Sequence, residues 1–173
     1  MNNKRGIAQA FSNPPEGLGF RPATVFDVFG ISRTLTRSIR DLCQADHRDD
    51  PIKLALWTAN KDPAAIRDWI DAGASLWVAT KGEEVVAVGR LRAEGEISLL
   101  YVDPDHSGQR IGATLLHRLQ DELRAQGCTE AHLRATKTAH GFYVAQGWQD
   151  AGDPTEWNGI PQYPMRKSLH PVG

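Results

Sequence analysis

The chain has 173 residues, of which 40% are hydrophobic, and this length fits one domain with enough apolar residues for a core. Its formal net charge of −1 argues against DNA, RNA or an anionic membrane as the main partner. The only two cysteines, Cys43 and Cys128, are far apart, which argues against a disulfide scaffold or a metal site and favours a reducing cytoplasm.

The first residues lack the long apolar core of a signal peptide. We therefore expect residues 1–17 to form a flexible tail and residues 18–173 to form a single domain. No run of the chain approaches ~18 apolar residues, so we expect no membrane span.

The first half of the domain is predicted to be mainly helical. A short strand at Phe20–Pro22 precedes a helix that starts at Thr24, with Asp27 three positions later in capping-box spacing. The helix is marked by apolar residues at roughly helical spacing: Phe26, Phe29, Ile31, Leu35, Ile39 and Leu42. Further helices are predicted at Pro51–Thr58 and from Asp62–Pro63 to near Gly73.

Strands dominate the second half. Three are predicted at Ser75–Thr80, Glu84–Leu91 and Glu96–Val102, and a helix follows from about Gln109 to Gly127. A strand at Ala131–Ala135, a short helix at Thr138–Gln146 and a last strand at Gln162–Leu169 complete the order. This order predicts a mixed α/β sheet with a strand–turn–helix unit at its centre.

That central unit is LYVDPDHSGQRIGATLL, residues 100–116: an apolar strand, a turn with Gly108 and Gly112, and a helix. Backbone N–H groups converge on an anion at such a place, so it can hold a phosphate or pyrophosphate without a lysine. The alternative is that one glycine makes a tight turn and the other only packs the helix.

Three segments together resemble the GNAT superfamily of acyl-CoA-dependent N-acetyltransferases. Residues 100–116 are similar to its cofactor motif, and AHGFYVAQGW at 139–148 is similar to its second motif, an aromatic–Tyr pair followed by a Gly–aromatic pair. The closing YPMRKSL resembles its final strand. The resemblance runs from Phe20 to Leu169 and implies a mixed, mostly antiparallel sheet of about six to seven strands with helices around it and a splayed central strand.

The resemblance also implies the cosubstrate, acetyl-CoA, with no metal. Backbone groups of Leu100 and Val102 would bond the pantetheine arm, and the loop amides after Ser107 would hold the pyrophosphate with help from the helix dipole. The cofactor-binding residues carried over are Leu100, Tyr101, Val102, Ser107, Gly108, Gln109, Arg110, Ile111, Gly112 and Ala113.

The sequence departs from the family pattern at three places. Ser107 stands at a Gln/Arg position, Arg110 at a glycine position, and Thr136 where many members carry a cofactor-binding asparagine. If position 110 needs a positive φ, arginine costs ~1 kcal/mol or more. We expect instead that Arg110 has helical φ, where it is harmless and adds a cation near the phosphates.

The chemistry implied is proton transfer around an attacking amine. Tyr143 matches the family's general acid for the leaving sulfur, and Glu96 stands where some members place the general base. Each has a plainer alternative, since Tyr143 can be a core tyrosine and Glu96 a solvated residue at a strand start. Cys43 is interpreted as a buried apolar residue, and His47 with the residues after it as a solvated loop.

The function expected is direct acetylation of a primary amine, on a small molecule more than on a protein, by a cytoplasmic enzyme. The alternative is a non-catalytic acyl-CoA-binding or sensing module of the same fold. A nucleotide-binding domain is disfavoured because the Gly–Lys–Ser/Thr and Gly–x–Gly–x–x–Gly patterns are missing. No nucleic-acid or membrane partner is expected, and the last strand could pair two chains in a homodimer.

Overall fold

A computed structural model describes residues 15–170. Most of the predicted tail, residues 1–17, lies outside this range. The strands are β1 Leu18–Pro22, β2 Ser75–Lys81, β3 Glu84–Arg92, β4 Glu96–Val102, β5 Glu130–Ala135, β6 Gln149–Asp150, β7 Thr155–Trp157 and β8 Ile160–Ser168. The α-helices are α1 Val28–Leu42, α2 Gln44–His47, α3 Pro51–Thr58, α4 Pro63–Asp71, α5 Ile111–Ala125 and α6 Lys137–Ala145.

The strands form one eight-stranded sheet in the order β1-β2-β3-β4-β5-β8-β6, with β7 also paired to β8. Neighbours are antiparallel except β4 and β5, which are parallel and share a single register pair, Glu96 with His132. Beyond Glu96 the two strands separate. The predicted α/β sheet with a splayed central strand is thus confirmed, and the short strands β6 and β7 were not predicted.

Helices cover both faces of the sheet and divide the core in two. On one face, α5 packs through Leu115 and Leu119 against β3, and α6 contributes Tyr143. Close packing there requires a glycine in β3, because a Cβ on Gly89 would lie 2.7 Å from Leu119 Cδ1. On the other face, α1 and α4 pack against β2 and β3. The two sets of helices leave the gap between β4 and β5 open.

The predicted capping box of Thr24 and Asp27 is confirmed, but a 3₁₀ turn follows it and the α-helix starts only at Val28. Residues 25–27 form a 3₁₀ turn, and Asp27 accepts hydrogen bonds from the Thr24 backbone N–H at 2.8 Å and from Arg21 at 2.7 Å. The predicted apolar face included Phe26 and Phe29, but these side chains are 92% and 74% exposed. The buried stripe of α1 starts one position before Phe29 and repeats every three or four residues: Val28, Ile31, Leu35 and Ile39.

The predicted solvated loop is confirmed for Arg48 and Asp49, which are exposed, but His47 does not belong to it. His47 closes the short helix α2 and is fully buried. Its Nε2 lies 2.9 Å from the Ile39 carbonyl oxygen, and its Nδ1 accepts from the Asp49 backbone N–H at 3.0 Å. Because both ring nitrogens have partners inside the protein, burial costs the imidazole little.

The edge proposed for pairing two chains is largely covered. Strand β8 is paired to β5 on one side. On the other side, β6 pairs with residues 165–166 and β7 pairs with residues 160–162. A homodimer remains a prediction. Within residues 15–170, no helix is long and apolar enough to cross a membrane.

Candidate active site

The separation of β4 from β5 opens a cavity of about 420 Å³, which we call the splay cavity. Its walls come from both strands, from the loop after β4 and from helices α1, α5 and α6, and they are mainly apolar. The residues lining it include Leu42, Cys43, Ile97, Leu100, Tyr101, Val102, Ser107, Gly112, Leu133, Ala135, Thr136, Phe142 and Tyr143. A narrow, mostly apolar channel of this kind suits an acyl-pantetheine arm.

A β-bulge in β4 shapes one wall of the splay cavity. Leu91 pairs with Ile97 and Arg90 pairs with Leu99, so Ser98 is an extra residue in β4. A bulge bends the strand and redirects the side chains that follow it. Together with the lost pairing to β5, it leaves peptide groups of β4 available for hydrogen bonds to a ligand.

The turn between β4 and α5 lies at one end of this cavity. Gly108 has φ 76°, and α5 begins after Arg110 without a side-chain cap on its first N–H groups. Uncapped amides at a helix start attract an anion. Gly112 lies in the first turn of α5 and lines the cavity, and a Cβ there would lie 3.3 Å from Val102 Cγ2.

Arg110 does not have the helical backbone expected from the sequence. Its φ is 62° and its ψ is 12°, which is the left-handed region, so that interpretation was wrong. Glycine adopts a positive φ without strain because it has no Cβ. Arginine at this position is strained, because its Cβ lies too close to the backbone. The Arg110 carbonyl oxygen accepts the first helical hydrogen bond of α5, from the Thr114 N–H at 3.0 Å.

Replacing Arg110 by glycine should therefore leave the protein as stable or make it up to about 1 kcal/mol more stable, because relieved strain offsets the entropy gained by the unfolded chain. The same replacement at Arg67, an exposed residue inside α4, should cost about 1 kcal/mol. Urea unfolding of both variants measures the difference. An equal loss of stability in the two variants would show that Arg110 carries no backbone strain.

Five of the ten predicted cofactor-binding residues line the splay cavity: Leu100, Tyr101, Val102, Ser107 and Gly112. Gly108, Gln109, Arg110 and Ala113 belong to the adjoining turn and helix start. Gln109 accepts a hydrogen bond from Lys81 at 2.7 Å, and the Ile111 side chain is buried in the core. Ile111 can therefore offer a ligand only its backbone N–H.

Tyr143 lines the splay cavity and is 6% exposed. Its ring makes edge contacts with Phe142 and Trp148, with centroids 5.1 and 5.8 Å away. Burial raises the pKa of the Tyr143 phenol well above its usual range. The hydroxyl therefore stays protonated at neutral pH, which is the state that a general acid needs.

The helix that carries Tyr143 is anchored at its first turn by α2. The Asp46 carboxylate accepts hydrogen bonds from the Lys137 backbone N–H at 2.7 Å and from the Thr138 hydroxyl. Thr136 is the N-cap of this helix, and its side chain accepts from the Ala139 N–H at 3.1 Å. No sequence signal relates Asp46 to residues some 90 positions later.

A second cleft, of about 290 Å³, opens on the other side of β4, and we call it the acceptor cleft. Six residues line both spaces: Ile97, Ser98, Leu99, Tyr101, Arg134 and Thr136. Glu96 lines only the acceptor cleft and Tyr143 only the splay cavity. The two predicted catalytic residues therefore line two different spaces that share part of their walls.

Tyr101 lies between the two spaces. Its hydroxyl accepts a hydrogen bond from Trp57 Nε1 at 3.3 Å, and burial raises its pKa well above the usual range. The motif predicts cofactor binding for Tyr101, and the sequence favours core or lid packing over a substrate cage for Trp57, which is 5% exposed. The structure adds Trp57 and Lys61 from the first two-fifths of the chain to the wall of the acceptor cleft.

A sequence model of the acetyltransferase (GNAT) domain matches residues 43–169. The chain belongs to the GNAT acetyltransferase family. The match spans the splayed strands, the turn before α5 and the helix that carries Tyr143, and so includes every predicted site residue. No curated protein matches the chain by sequence at a significant level.

Solved GNAT structures share the fold. A GCN5-related N-acetyltransferase from Rhodopseudomonas palustris superposes with a TM-score of 0.79 at 24% identity, covering 90% of this chain and 98% of the other. PaiA N-acetyltransferase from Thermoplasma acidophilum, in complex with coenzyme A, gives 0.69 at 14% identity over 87% and 98%. YncA, a putative acetyltransferase from Salmonella typhimurium with acetyl-CoA, gives 0.64 at 19% over 90% and 95%.

Proposed function

We propose that this protein transfers the acetyl group of acetyl-CoA directly to a primary amine of a small molecule. The observation that carries the proposal is the pair of spaces that meet at the β4 splay, with Tyr143 on one side and Glu96 on the other. A thioester in the splay cavity and an amine in the acceptor cleft can approach each other through this opening.

The choice of acetyl-CoA is supported by the anion site and by the relatives. The uncapped start of α5 at the end of the splay cavity suits a pyrophosphate. Two structures of the same fold contain coenzyme A or acetyl-CoA. Residues 108–113 would hold the phosphates, and the β4 backbone near Leu100 and Val102 would hold the pantetheine arm.

The reaction requires three proton transfers. The ammonium form of a lysine-like amine has a pKa of about 10.4, so a base must take a proton before nitrogen can attack. Glu96 takes it, directly or through one water. Nitrogen then bonds to the carbonyl carbon, the carbon–sulfur bond breaks, and Tyr143 gives its proton to the leaving thiolate. The new amide nitrogen gives up its second proton, which restores the Tyr143 phenol.

Direct transfer is favoured over an acyl-enzyme intermediate. Cys43 is the cysteine that lines the splay cavity, and burial raises the pKa of its thiol to about 12. A thiol with such a pKa is almost wholly protonated at neutral pH and is a poor nucleophile. The attacking group is therefore the acceptor amine.

A non-catalytic acyl-CoA-binding module is the second candidate. It is favoured by Arg110, whose left-handed backbone occupies a family glycine position at the anion site. This candidate predicts that acetyl-CoA binds but that no amine releases its thiol.

The test combines ligand binding with turnover. A ligand at one hundred times its Kd stabilises the folded state by about 2.7 kcal/mol, which is roughly 5–10 °C in Tm for a chain of this size. We expect this rise with acetyl-CoA and CoA but not with ATP or NAD, and thiol release when primary amines are added. A rise without thiol release from any amine would favour the binding module, and no rise with either CoA ligand would refute both candidates.

The proposal also includes a cytoplasmic location and a small-molecule acceptor. A cytoplasmic location is supported by Cys43 and Cys128, which are both free thiols. The acceptor is taken to be a small molecule because the acceptor cleft, at about 290 Å³, is small. Fractionation of the native host and gel filtration would test the location and the predicted homodimer.

A further inference from the structure

The acceptor cleft contains more cations than anions. Its lining includes Lys61, Arg92 and Arg134 but only one carboxylate, Glu96. None of these four residues forms a salt bridge within residues 15–170. An amine with no other charge would therefore meet a net positive field in this cleft.

Lys61 is the most constrained of the three cations. It lies between α3 and α4 and is 6% exposed. Its Nζ donates to the Trp57 carbonyl oxygen at 3.0 Å and to Asn60 Oδ1 at 2.8 Å, both of which are neutral. Its backbone oxygen accepts from the Ser32 hydroxyl at 2.7 Å, which fixes this part of the chain.

An ammonium group has three donors, so Lys61 keeps one beyond these two bonds. Burial lowers its pKa to about 8, so the charged form still dominates at pH 7. A buried charge without a counter-ion is costly, and an anionic ligand group in the cleft would remove that cost.

The two arginines differ in whether a carboxylate lies opposite them in the sheet. Arg92 on β3 is directly opposite Glu96 on β4, so their Cβ atoms are about 5 Å apart and their charges offset each other. Arg134 comes from β5, on the far side of the splay, and has no such carboxylate opposite it, since its partner on β8 is Pro164. Lys61 and Arg134 thus supply the uncompensated positive charge.

We propose that the acceptor amine carries an anionic group, a carboxylate or a phosphate monoester, which binds Lys61 and Arg134. This inference rests on the proposed function, because it names the substrate class of the same site. The anionic end of the acceptor neutralises the two cations, and Glu96 faces its amine. Trp57 and Trp157, which also line the cleft, contact the carbon chain between the two ends.

The experiment compares amines that differ only in the anionic group. 4-Aminobutanoate is compared with 4-aminobutanamide, 2-aminoethyl phosphate with ethanolamine, and spermidine serves as a polycationic amine. With saturating acetyl-CoA, we expect kcat/KM for at least one anionic member to exceed that of its neutral partner by ~10-fold or more, which is the range of a charge-assisted hydrogen bond. Equal rates within both pairs, or a preference for spermidine, would overturn the proposal.

Variants tie the preference to the two cations. Lys61→Met and Arg134→Gln should raise KM for the preferred anionic amine ~10-fold more than KM for its neutral partner. Arg33→Gln removes an exposed charge from α1 outside both cavities and should change neither value. If Lys61→Met does not fold, Arg134→Gln tests the proposal by itself, because Arg134 is exposed and its replacement should not affect folding. An unchanged preference in the folded variants would overturn the assignment.

A binding measurement separates this inference from the proposed function. Calorimetry of the CoA-loaded protein with the same amine pairs needs no turnover. If no amine releases thiol but an anionic amine binds ~10-fold more tightly than its neutral partner, the acetyltransferase proposal fails and the anion site stands. If thiol is released equally from both members of each pair, the acetyltransferase stands and the anion site is refuted.

Discussion

Replacing Tyr143 by phenylalanine should lower kcat by about 100-fold or more and leave the affinity for acetyl-CoA nearly unchanged, since general acid catalysis contributes at least that much. The substitution removes one oxygen and keeps the ring, so the edge contacts with Phe142 and Trp148 remain. Burial raises the pKa of Tyr143, and its hydroxyl forms no hydrogen bond with another residue in the range 15–170. Removal of the hydroxyl therefore leaves no protein group without a partner.

The chain provides a matched control for Tyr143→Phe. Tyr163 is the third of its three tyrosines, packs beside His140 with ring centroids 5.3 Å apart, and lines neither the splay cavity nor the acceptor cleft. Tyr163→Phe should keep its turnover. Thiol release at saturating acetyl-CoA, with Kd from the ligand-dependent Tm, measures both variants. Equal turnover in Tyr143→Phe and the native protein would remove Tyr143 from the mechanism.

Elements whose signals are local were predictable from the sequence. Helix α3 has the predicted bounds, Pro51–Thr58, because Asp50 caps its start and proline fits its first position. Helix α4 begins after Asp62, whose side chain accepts from the Ala65 N–H at 2.8 Å. Cap residues act within one turn, so their effect on structure is visible in a few letters of sequence.

The family motifs also predicted the separation of the central strands and the end of the site that would bind CoA. Order and spacing in these motifs identify which strand separates and which turn precedes α5. They could not supply the conformation of Arg110, because the arginine occupies a place where the pattern has glycine. Arg110 has a φ of 62° although it is not a glycine, so its residue type gave no signal of the left-handed backbone.

The acceptor side could not be predicted because its residues meet only in the folded chain. Lys61, Arg92 and Arg134 come from three elements with no shared motif, and none of them has a neighbour in sequence that signals a ligand. The link from Asp46 to α6 is similar, since it joins residues 91 positions apart. Contacts of this kind follow from the arrangement of helices around the sheet, which local patterns do not encode.

Replacing Gly112 by glutamate is expected to abolish binding of acetyl-CoA. Gly112 lines the splay cavity in the first turn of α5, so a glutamate brings a carboxylate to the place where the helix start would hold the pyrophosphate. The negative carboxylate repels the negative pyrophosphate. The added side chain also fills the space next to Val102 and Phe142. The rise in Tm with acetyl-CoA or CoA should therefore disappear.

Two further variants separate loss of binding from loss of folding. Gly141→Glu places the same side chain on α6, where a Cβ meets nothing within 4 Å, and should keep the rise in Tm. Gly112→Ala adds only the Cβ that would lie 3.3 Å from Val102 Cγ2, so it should lower stability slightly and keep binding. The alanine variant changes only the packing, whereas the glutamate variant adds a larger side chain and a negative charge. A rise in Tm with acetyl-CoA that is kept in the first and lost in the second therefore indicates an anion site. A folded Gly112→Glu protein that still binds acetyl-CoA would mean that this glycine serves only the close packing of α5 on β4.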